Sequence, residues 1–117
     1  MNVLIADDSE IMRFCIQDTV QKMSGVEPDI AENGEEAMKL FHQGSYDLVI
    51  IDIVMPRING IICVQEMLKA KPNTKILVIS SLTNTSQQAL DFGAHGFVTK
   101  PFTTDQLKVS LKPFFES

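Results

Sequence analysis

The sequence predicts an α/β fold, in which helices cover both faces of a five-stranded parallel sheet. Short apolar runs rich in Val and Ile recur at Val3–Ala6, Leu48–Ile51 and Ile76–Ile79, and continuous runs of this kind are typical of buried parallel strands. Amphipathic stretches separate the runs. Strands that alternate with helices form βαβ units, whose helices pack on both sides of one sheet.

Two weaker runs complete the predicted sheet. Val26–Ala31 and Gly96–Thr99 are less continuous, and edge strands tolerate alternation and glycine better than central strands do. We therefore place these two strands at the edges of the sheet.

The first predicted helix has one apolar face that repeats with the 3.6-residue period, and Arg13, Gln17 and Gln21 lie on the opposite face. The apolar face consists of Met12, Cys15, Ile16, Thr19, Val20 and Met23. Cys15 and the distant Cys63 lack CxxC spacing and a nearby histidine. We therefore interpret both cysteines as small buried hydrophobic residues.

Capping residues and prolines mark the second and third helices. Asn33, followed by Glu36, predicts the start of a helix that runs through Phe41. The third helix is predicted from about Gly60 to Ala70, because Pro72 disfavours helical backbone just before it.

The sequence signals for the last two helices differ in strength. The fourth, within Asn84–Phe92, is short and weakly amphipathic. The fifth begins at a capping box, Thr103–Gln106, and directs Leu107 and Leu111 inward. Pro113 is expected to end or kink this helix.

Composition restricts the possible classes of protein. The chain has 117 residues, of which 44% are apolar, and we expect residues 1–117 to form a single domain. A net charge of -5 without a basic cluster argues against direct nucleic-acid binding. The apolar run before Asp7 is too short for a signal peptide or a membrane span, so we expect a cytoplasmic protein with no membrane contact.

Polar side chains follow the predicted strands. Asp7 and Asp8 come directly after the first strand, Asp52 ends the third, and Ser80 and Lys100 end the fourth and fifth. Because the carboxyl ends of parallel strands lie at one edge of a sheet, these side chains are expected to converge there.

The charges of this group predict a metal ion. Three carboxylates and one ammonium give -3 + 1 = -2, which one divalent cation neutralises. Oxygen ligands without Cys or His favour Mg²⁺ over Zn²⁺. Asp52 stands alone at its strand end and is the best candidate for a nucleophile toward phosphorus. If the carboxylates repel each other, Asp7→Asn should stabilise the metal-free fold.

Five segments together resemble the receiver domain of two-component response regulators, and the length is similar to that of stand-alone chemotaxis receivers. The segments are VLIADDS at 3–9, NGEEA at 33–37, DLVIIDIVMP at 47–56, Asn59-Gly60, and GAHGFVTKPF at 93–102. The resemblance implies a flavodoxin-like sheet of order 2-1-3-4-5 with five helices in three layers. The chain is then a switch protein and not an enzyme, and it promotes only its own phosphotransfer and slow dephosphorylation.

The resemblance also implies a role for each site residue. Asp52 accepts the phosphoryl group, and Mg²⁺ is held by Asp8 directly, by Asp7 through its water shell, by Asp52 and by the backbone carbonyl of Val54. Lys100 binds the phosphoryl group as a point charge.

Ser80 and Phe97 are implied to form the switch. Ser80 would hydrogen-bond a phosphoryl oxygen, and Phe97 would turn from an exposed to a buried rotamer; Ser81 is the alternative to Ser80, and Phe97 could instead be plain core. The bond before Pro101 is expected to be cis.

The loops next to the predicted site carry further features. Pro56 is interpreted as loop structure and Gly60 as a turn and helix start. The segment between Ser80 and Gly93 is about two residues shorter than in the family, which suggests a brief or irregular fourth helix. Val54 and Leu82 are apolar beside the site, and we expect slow hydrolysis of the phosphoryl group.

The implied partners are a sensor histidine kinase or phosphotransfer protein, and a downstream effector protein or a missing output domain, since the chain ends soon after the fifth helix. The protein is expected to be a monomer or a phosphorylation-dependent dimer. One rival is a phosphatase of the haloacid dehalogenase type, which needs a second acid where Val54 stands. Another is a receiver-like interaction module that is never phosphorylated. A flavin-binding flavodoxin is disfavoured because no Ser/Thr-Gly-rich loop follows the first strand.

Overall fold

Strands and helices alternate along the whole of the chain that the computed structural model describes, which is residues 1–55, 59–81 and 86–116. The elements are β1 Val3–Ala6, α1 Glu10–Ser24, β2 Asp29–Ala31, α2 Gly34–Gln43, β3 Leu48–Asp52, α3 Gly60–Ala70, β4 Lys75–Ser80, α4 Ser86–Asp91, β5 Gly96–Thr99 and α5 Thr104–Phe115. All neighbouring strands are parallel, in the order β2-β1-β3-β4-β5. The predicted fold class and strand order are confirmed.

The two faces of the sheet carry separate cores, because successive strand residues point to opposite sides. On one face, alternate residues of β1, β3 and β4 pack with Phe41 of α2 and Met67 of α3. On the other face, the intervening residues pack with Ile16 of α1 and Leu107 and Leu111 of α5. The central strands are thus buried on both faces, which explains their continuous apolar runs.

The predicted helix starts coincide with side-chain caps. The Asn33 side chain accepts a hydrogen bond from the backbone N–H of Glu36 at 2.8 Å. Thr103 and Gln106 form a complete capping box at the start of α5. At α3, Asn59 caps the helix that begins at Gly60. These caps satisfy N–H groups that have no partner within the helix.

Three predictions about individual elements are wrong, the one about Pro113 only in its first alternative, that the proline ends the helix. Strand β2 begins at Asp29 and not at Val26, because Pro28 has no N–H to donate to a strand ladder. Helix α5 continues two residues past Pro113, to Phe115, so the proline does not end it. Cys15 is only half-buried, since it lies beside the buried stripe of α1 and not within it; Cys63 is fully buried.

The fourth helix and the bond before Pro101 agree with the sequence predictions. The fourth helix is short, as predicted, and runs from Ser86 to Asp91. The Lys100–Pro101 bond is cis. Pro56, Leu82 and Asn84 lie outside the described residues. None of the described helices has the length and apolar character that a membrane span requires.

Candidate functional site

Parallel pairing brings the polar strand ends to one edge of the sheet. Ala6 of β1 pairs with Ile51 of β3, so Asp7 and Asp52 are the next residues along both strands. On the other side of β3, Asp52 pairs with Ile79, the residue before Ser80. The register alone therefore aligns the two aspartates and the serine.

The three aspartates meet in space. One carboxylate oxygen from each of Asp7, Asp8 and Asp52 lies within 4.8 Å of the other two. Asp7 and Asp52 are 1% and 5% exposed, whereas Asp8 is exposed. The cluster thus has a buried floor and an open side that solvent and ligands can reach.

Lys100 bridges the two buried aspartates. Its Nζ atom lies 3.0 Å from Oδ2 of Asp7 and 2.9 Å from Oδ2 of Asp52. Its backbone N–H donates to the carbonyl of Ser80 at 2.8 Å, which ties the end of β5 to β4. Burial lowers the pKa of Lys100, but the hydrogen bonds and charges of Asp52 and Asp7 outweigh it and raise the pKa overall.

Asp52 is a buried acid whose pKa departs from its ordinary value. Burial raises its pKa, and the hydrogen bond and charge of Lys100 offset this effect only in part. The backbone N–H of Val54 donates to Oδ1 at 3.1 Å, so each carboxylate oxygen has one donor. Every oxygen still has an unused lone pair for a further ligand.

Among the described residues Asp7 is held by four partners, of which sequence reasoning anticipated only Lys100. Its N–H donates to the Ala31 carbonyl, and Lys100 contacts its side chain. In addition, the Ser9 N–H donates to Oδ1 at 2.9 Å, and Nη1 of Arg13 donates to the backbone carbonyl at 2.8 Å. Arg13 stands on the face of α1 opposite the apolar stripe, and only its place one turn after Ser9 hinted that its side chain could fold back.

The remaining predicted site residues surround this centre. Ser80 is fully buried at the end of β4, and Phe97 is half-buried, packing against the core beside α2, α3 and α4. The Val54 side chain is 52% exposed, so the site has an apolar rim there. Pro101 follows Lys100 through the cis bond. The structure therefore places the switch candidates on β4, which pairs with β3, and on β5, which pairs with β4.

Gly60 allows α3 to approach the end of β3. Its N–H donates to the carbonyl of Ile53 at 2.8 Å. A Cβ atom at this position would lie 2.5 Å from the Cα of Ile53 and closer still to the carbonyl oxygen of Asp52. Glycine is therefore required directly behind the acidic cluster.

The cluster fits a hard divalent cation. Its ligand atoms are carboxylate oxygens, and no Cys or His is in the group among the described residues. With Lys100 in contact with two of the acids, the net charge of the four side chains is -3 + 1 = -2. Mg²⁺ binds through one or two carboxylates and keeps several waters, which suits the open side at Asp8.

The contacts of Asp7 make Asp8 the better position at which to test the repulsion between the carboxylates. Asp7→Asn would remove an ion pair with Lys100 together with the repulsion, whereas no cation contacts Asp8 among the described residues. Repulsion between unit charges 4.8 Å apart is about 0.9 kcal/mol at the dielectric constant of water. We expect Asp8→Asn to stabilise the metal-free protein by about 1 kcal/mol and to weaken Mg²⁺ binding, as measured by thermal denaturation in EDTA and by titration calorimetry. An unchanged melting temperature in EDTA would show that the carboxylates do not repel each other.

Sequence comparison identifies the family of the chain. The profile of the response regulator receiver domain matches residues 3–112. The chemotaxis protein CheY of Thermotoga maritima is 35% identical over 111 residues, covering 93% of this chain and 92% of that protein. A protein-glutamate methylesterase of Rhodospirillum rubrum is 36% identical, but the match covers only 30% of that longer protein.

Solved structures agree with this result. The response regulator TrrA of Thermotoga maritima, in complex with Mg²⁺-BeF, has a TM-score of 0.87 and 37% identity over 97% of both chains. The chemotaxis protein CheY4 of Vibrio cholerae has a TM-score of 0.85 and 29% identity, also over 97% of both chains. The aspartate cluster lies at the carboxyl edge of this shared sheet. The chain therefore belongs to the response regulator receiver domain family, the signalling domain of two-component and chemotaxis systems.

Proposed function

We propose that this protein is a phosphorylation-operated switch, in which Asp52 accepts a phosphoryl group from a histidine kinase or a phosphotransfer protein. The observation that carries this proposal is the meeting of Asp7, Asp8 and Asp52 within 4.8 Å, with Lys100 in contact with two of them. We further propose that residues 1–117 form one receiver domain, since all described elements pack around one sheet.

Receiver domains bind Mg²⁺ at an acidic pocket, and here we propose Asp7, Asp8, Asp52 and the Val54 carbonyl as the residues that would hold it. The bound ion supplies positive charge that offsets the carboxylates and the phosphoryl oxygens. Ser9 and Arg13 hold Asp7 in place. Asp7 is thus held in place before the metal binds, which reduces the ordering cost of binding.

The chemical step that we propose is nucleophilic transfer. An oxygen of Asp52 forms a bond to phosphorus while the P–N bond of a donor phosphohistidine breaks. The bonding electron pair leaves with the imidazole nitrogen, which the donor or solvent protonates. Lys100 keeps its positive charge next to Asp52 and stabilises the negative charge on the transferred group.

The signal would then pass from the site to a binding surface. We propose that the Ser80 hydroxyl binds a phosphoryl oxygen and that Phe97 moves further into the core, which shifts the population of two conformations. The face formed by α4, β5 and α5 would respond. A cavity of about 530 Å³ on this face is lined in part by Phe97, Phe102 and Val109, and Val109 is 71% exposed.

We propose that a downstream effector protein or an output domain binds this face. The relatives include both arrangements, because the Thermotoga CheY is matched over 92% of its length and the Rhodospirillum methylesterase over 30%. The chain itself covers only the receiver part of the longer relatives.

Chemical phosphorylation tests the proposal. We expect acetyl phosphate with Mg²⁺ to add one phosphoryl group, which intact-mass spectrometry measures and borohydride trapping maps to Asp52. EDTA should abolish the modification, and Asp52→Asn should reduce it to background. Asp18→Asn is the matched control, because that carboxylate lies on the surface in an ion pair with Lys22, and it should be labelled normally.

The same experiment separates the rival functions. Labelling of another aspartate, or none with Mg²⁺ present, would contradict the proposal and favour an interaction module that is never phosphorylated. Steady turnover of a generic phosphate ester would favour a phosphatase of the haloacid dehalogenase type. That type needs a second acid two residues after the nucleophile, and the exposed Val54 side chain stands there.

A further inference from the structure

The side chain of Arg13 folds back from α1 onto the acidic turn. Its Nη1 atom donates to the backbone carbonyl of Asp7 at 2.8 Å, and the side chain is only 13% exposed. Its backbone N–H donates to the carbonyl of Ser9, the N-cap residue of α1, at 2.9 Å. One residue thus closes the first turn of the helix and also holds the turn that precedes it.

The carbonyl that Arg13 holds belongs to the peptide group between Asp7 and Asp8. A peptide group is planar, so its orientation sets ψ of Asp7 and φ of Asp8 together. The Asp7 side chain has further partners in Ser9 and Lys100. The exposed Asp8 side chain has no hydrogen bond or ion pair within the described part of the chain, so its direction depends on this backbone.

We propose that Arg13 is a positioning residue, which orients the Asp7–Asp8 peptide so that the Asp8 carboxylate faces Asp52, and which thereby sets the affinity of the site for Mg²⁺. This inference rests on the proposed metal site. Glu32 contributes less, because its carboxylate lies 3.8 Å from Nη2 of Arg13 and is 69% exposed.

The charge of Arg13 and its hydrogen bond have opposite effects on the affinity for Mg²⁺. A guanidinium next to the site repels a cation, so charge considered alone predicts tighter Mg²⁺ binding when Arg13 is replaced by a neutral residue. Positioning predicts weaker binding for the same substitution. The sign of the change therefore distinguishes the two effects.

The test is titration calorimetry of the full chain with MgCl₂, with circular dichroism to verify the fold of each variant. Arg13→Met retains the length and apolar character of the stem and should bind Mg²⁺ roughly 10-fold more weakly, as is typical when a residue that orients a metal ligand is lost. Arg13→Lys retains the charge but loses the planar fork, so it should fall between Arg13→Met and the wild type. Glu32→Gln, the control, should stay within about 2-fold of the wild type.

A second measurement excludes a general structural defect. In the acetyl phosphate reaction, Arg13→Met should need roughly 10-fold more Mg²⁺ for the half-maximal rate, while the rate at saturating Mg²⁺ stays within about 2-fold of the wild type. A variant that is merely less stable would lose rate at saturation as well.

Equal or tighter Mg²⁺ binding by Arg13→Met would overturn the inference. If that variant does not fold, Arg13→Gln replaces it as the neutral variant, because its shorter side chain removes both the charge and the reach of the guanidinium, and equal or tighter Mg²⁺ binding by it would overturn the inference. If the wild-type protein itself binds no Mg²⁺, it is the proposed metal site that fails, and this result is distinct from either outcome for Arg13.

Discussion

Replacing Lys100 by methionine should lower the free energy of unfolding of the metal-free protein by about 3 kcal/mol. The substitution removes the only cation in contact with Asp7 and Asp52 among the described residues and leaves two buried carboxylates together. Removal of one partner from a buried ion pair costs about 3–5 kcal/mol. We expect the low end of this range because the Lys100 side chain is 18% exposed. Chemical denaturation in EDTA measures the change.

Mg²⁺ should reverse part of this loss. Saturation at 100 times the dissociation constant stabilises a protein by about 2.7 kcal/mol. The increase should be larger in Lys100→Met than in the wild type, because no ammonium competes for the oxygens. Lys22→Met is the control: the Lys22–Asp18 pair has the same 3.0 Å distance but is exposed, and its loss should cost less than about 0.5 kcal/mol.

The effect of Lys100→Met should also depend on pH. Without Lys100, the pKa of Asp52 loses its main lowering influence and rises further above the ordinary value. A raised pKa in the fold means that the ionised form destabilises it, so the loss is present above that pKa and diminishes as the pH falls through it toward 3.8. A loss of stability that stays constant from pH 7 to pH 4 would contradict the arrangement of charges described above.

Substitution of Gly60 by alanine should destabilise the protein by about 3 kcal/mol or more. The added Cβ would lie 2.5 Å from the Cα of Ile53, and closer to the carbonyl of Asp52, so both obstructing atoms belong to the backbone. Alanine gains about 1 kcal/mol over glycine within a helix, which is too little to offset a shift of β3 against α3. Thermal denaturation measures the loss, and any folded fraction should be phosphorylated more slowly.

Gly44→Ala is the matched control for Gly60→Ala. Its Cβ would meet the ring of Tyr46 at 3.1 Å, and a side chain can move by a few tenths of an ångström. Its φ of -113° is accessible to alanine. We expect a change below about 1 kcal/mol. Similar melting temperatures for the two variants would show that the close approach at Gly60 imposes no constraint.

The central strands could be predicted because burial on both faces requires a continuous run of apolar residues, which is visible in the sequence. Each residue of β1 and β3 is buried, so apolar side chains follow one another without interruption. The start of α5 could also be predicted from local sequence, because Thr103 and Gln106 cap each other within one turn. Strand β2 was less predictable. Its length depends on where Pro28 meets the ladder of β1, which the composition of the segment does not show.

The polar residues at the strand ends could be found from sequence for a similar reason. Parallel strands share one carboxyl edge, so Asp7, Asp52, Ser80 and Lys100 converge whatever the details of packing. Their types, oxygen ligands and one ammonium, already restrict the ligand to a hard cation and a phosphoryl group. That part of the site follows from residue order and from the geometry common to all parallel sheets.

The contacts among these residues required the folded chain. Lys100 lies 93 residues from Asp7 and 48 from Asp52, and no local pattern records that its ammonium bridges both. Arg13 is six residues from Asp7, yet its helical position alone places it on the face opposite the apolar stripe. A hydrogen bond requires its donor and acceptor to lie about 3 Å apart. The formation of these contacts depends on rotamers and on strand offsets, which packing sets after the strands have assembled.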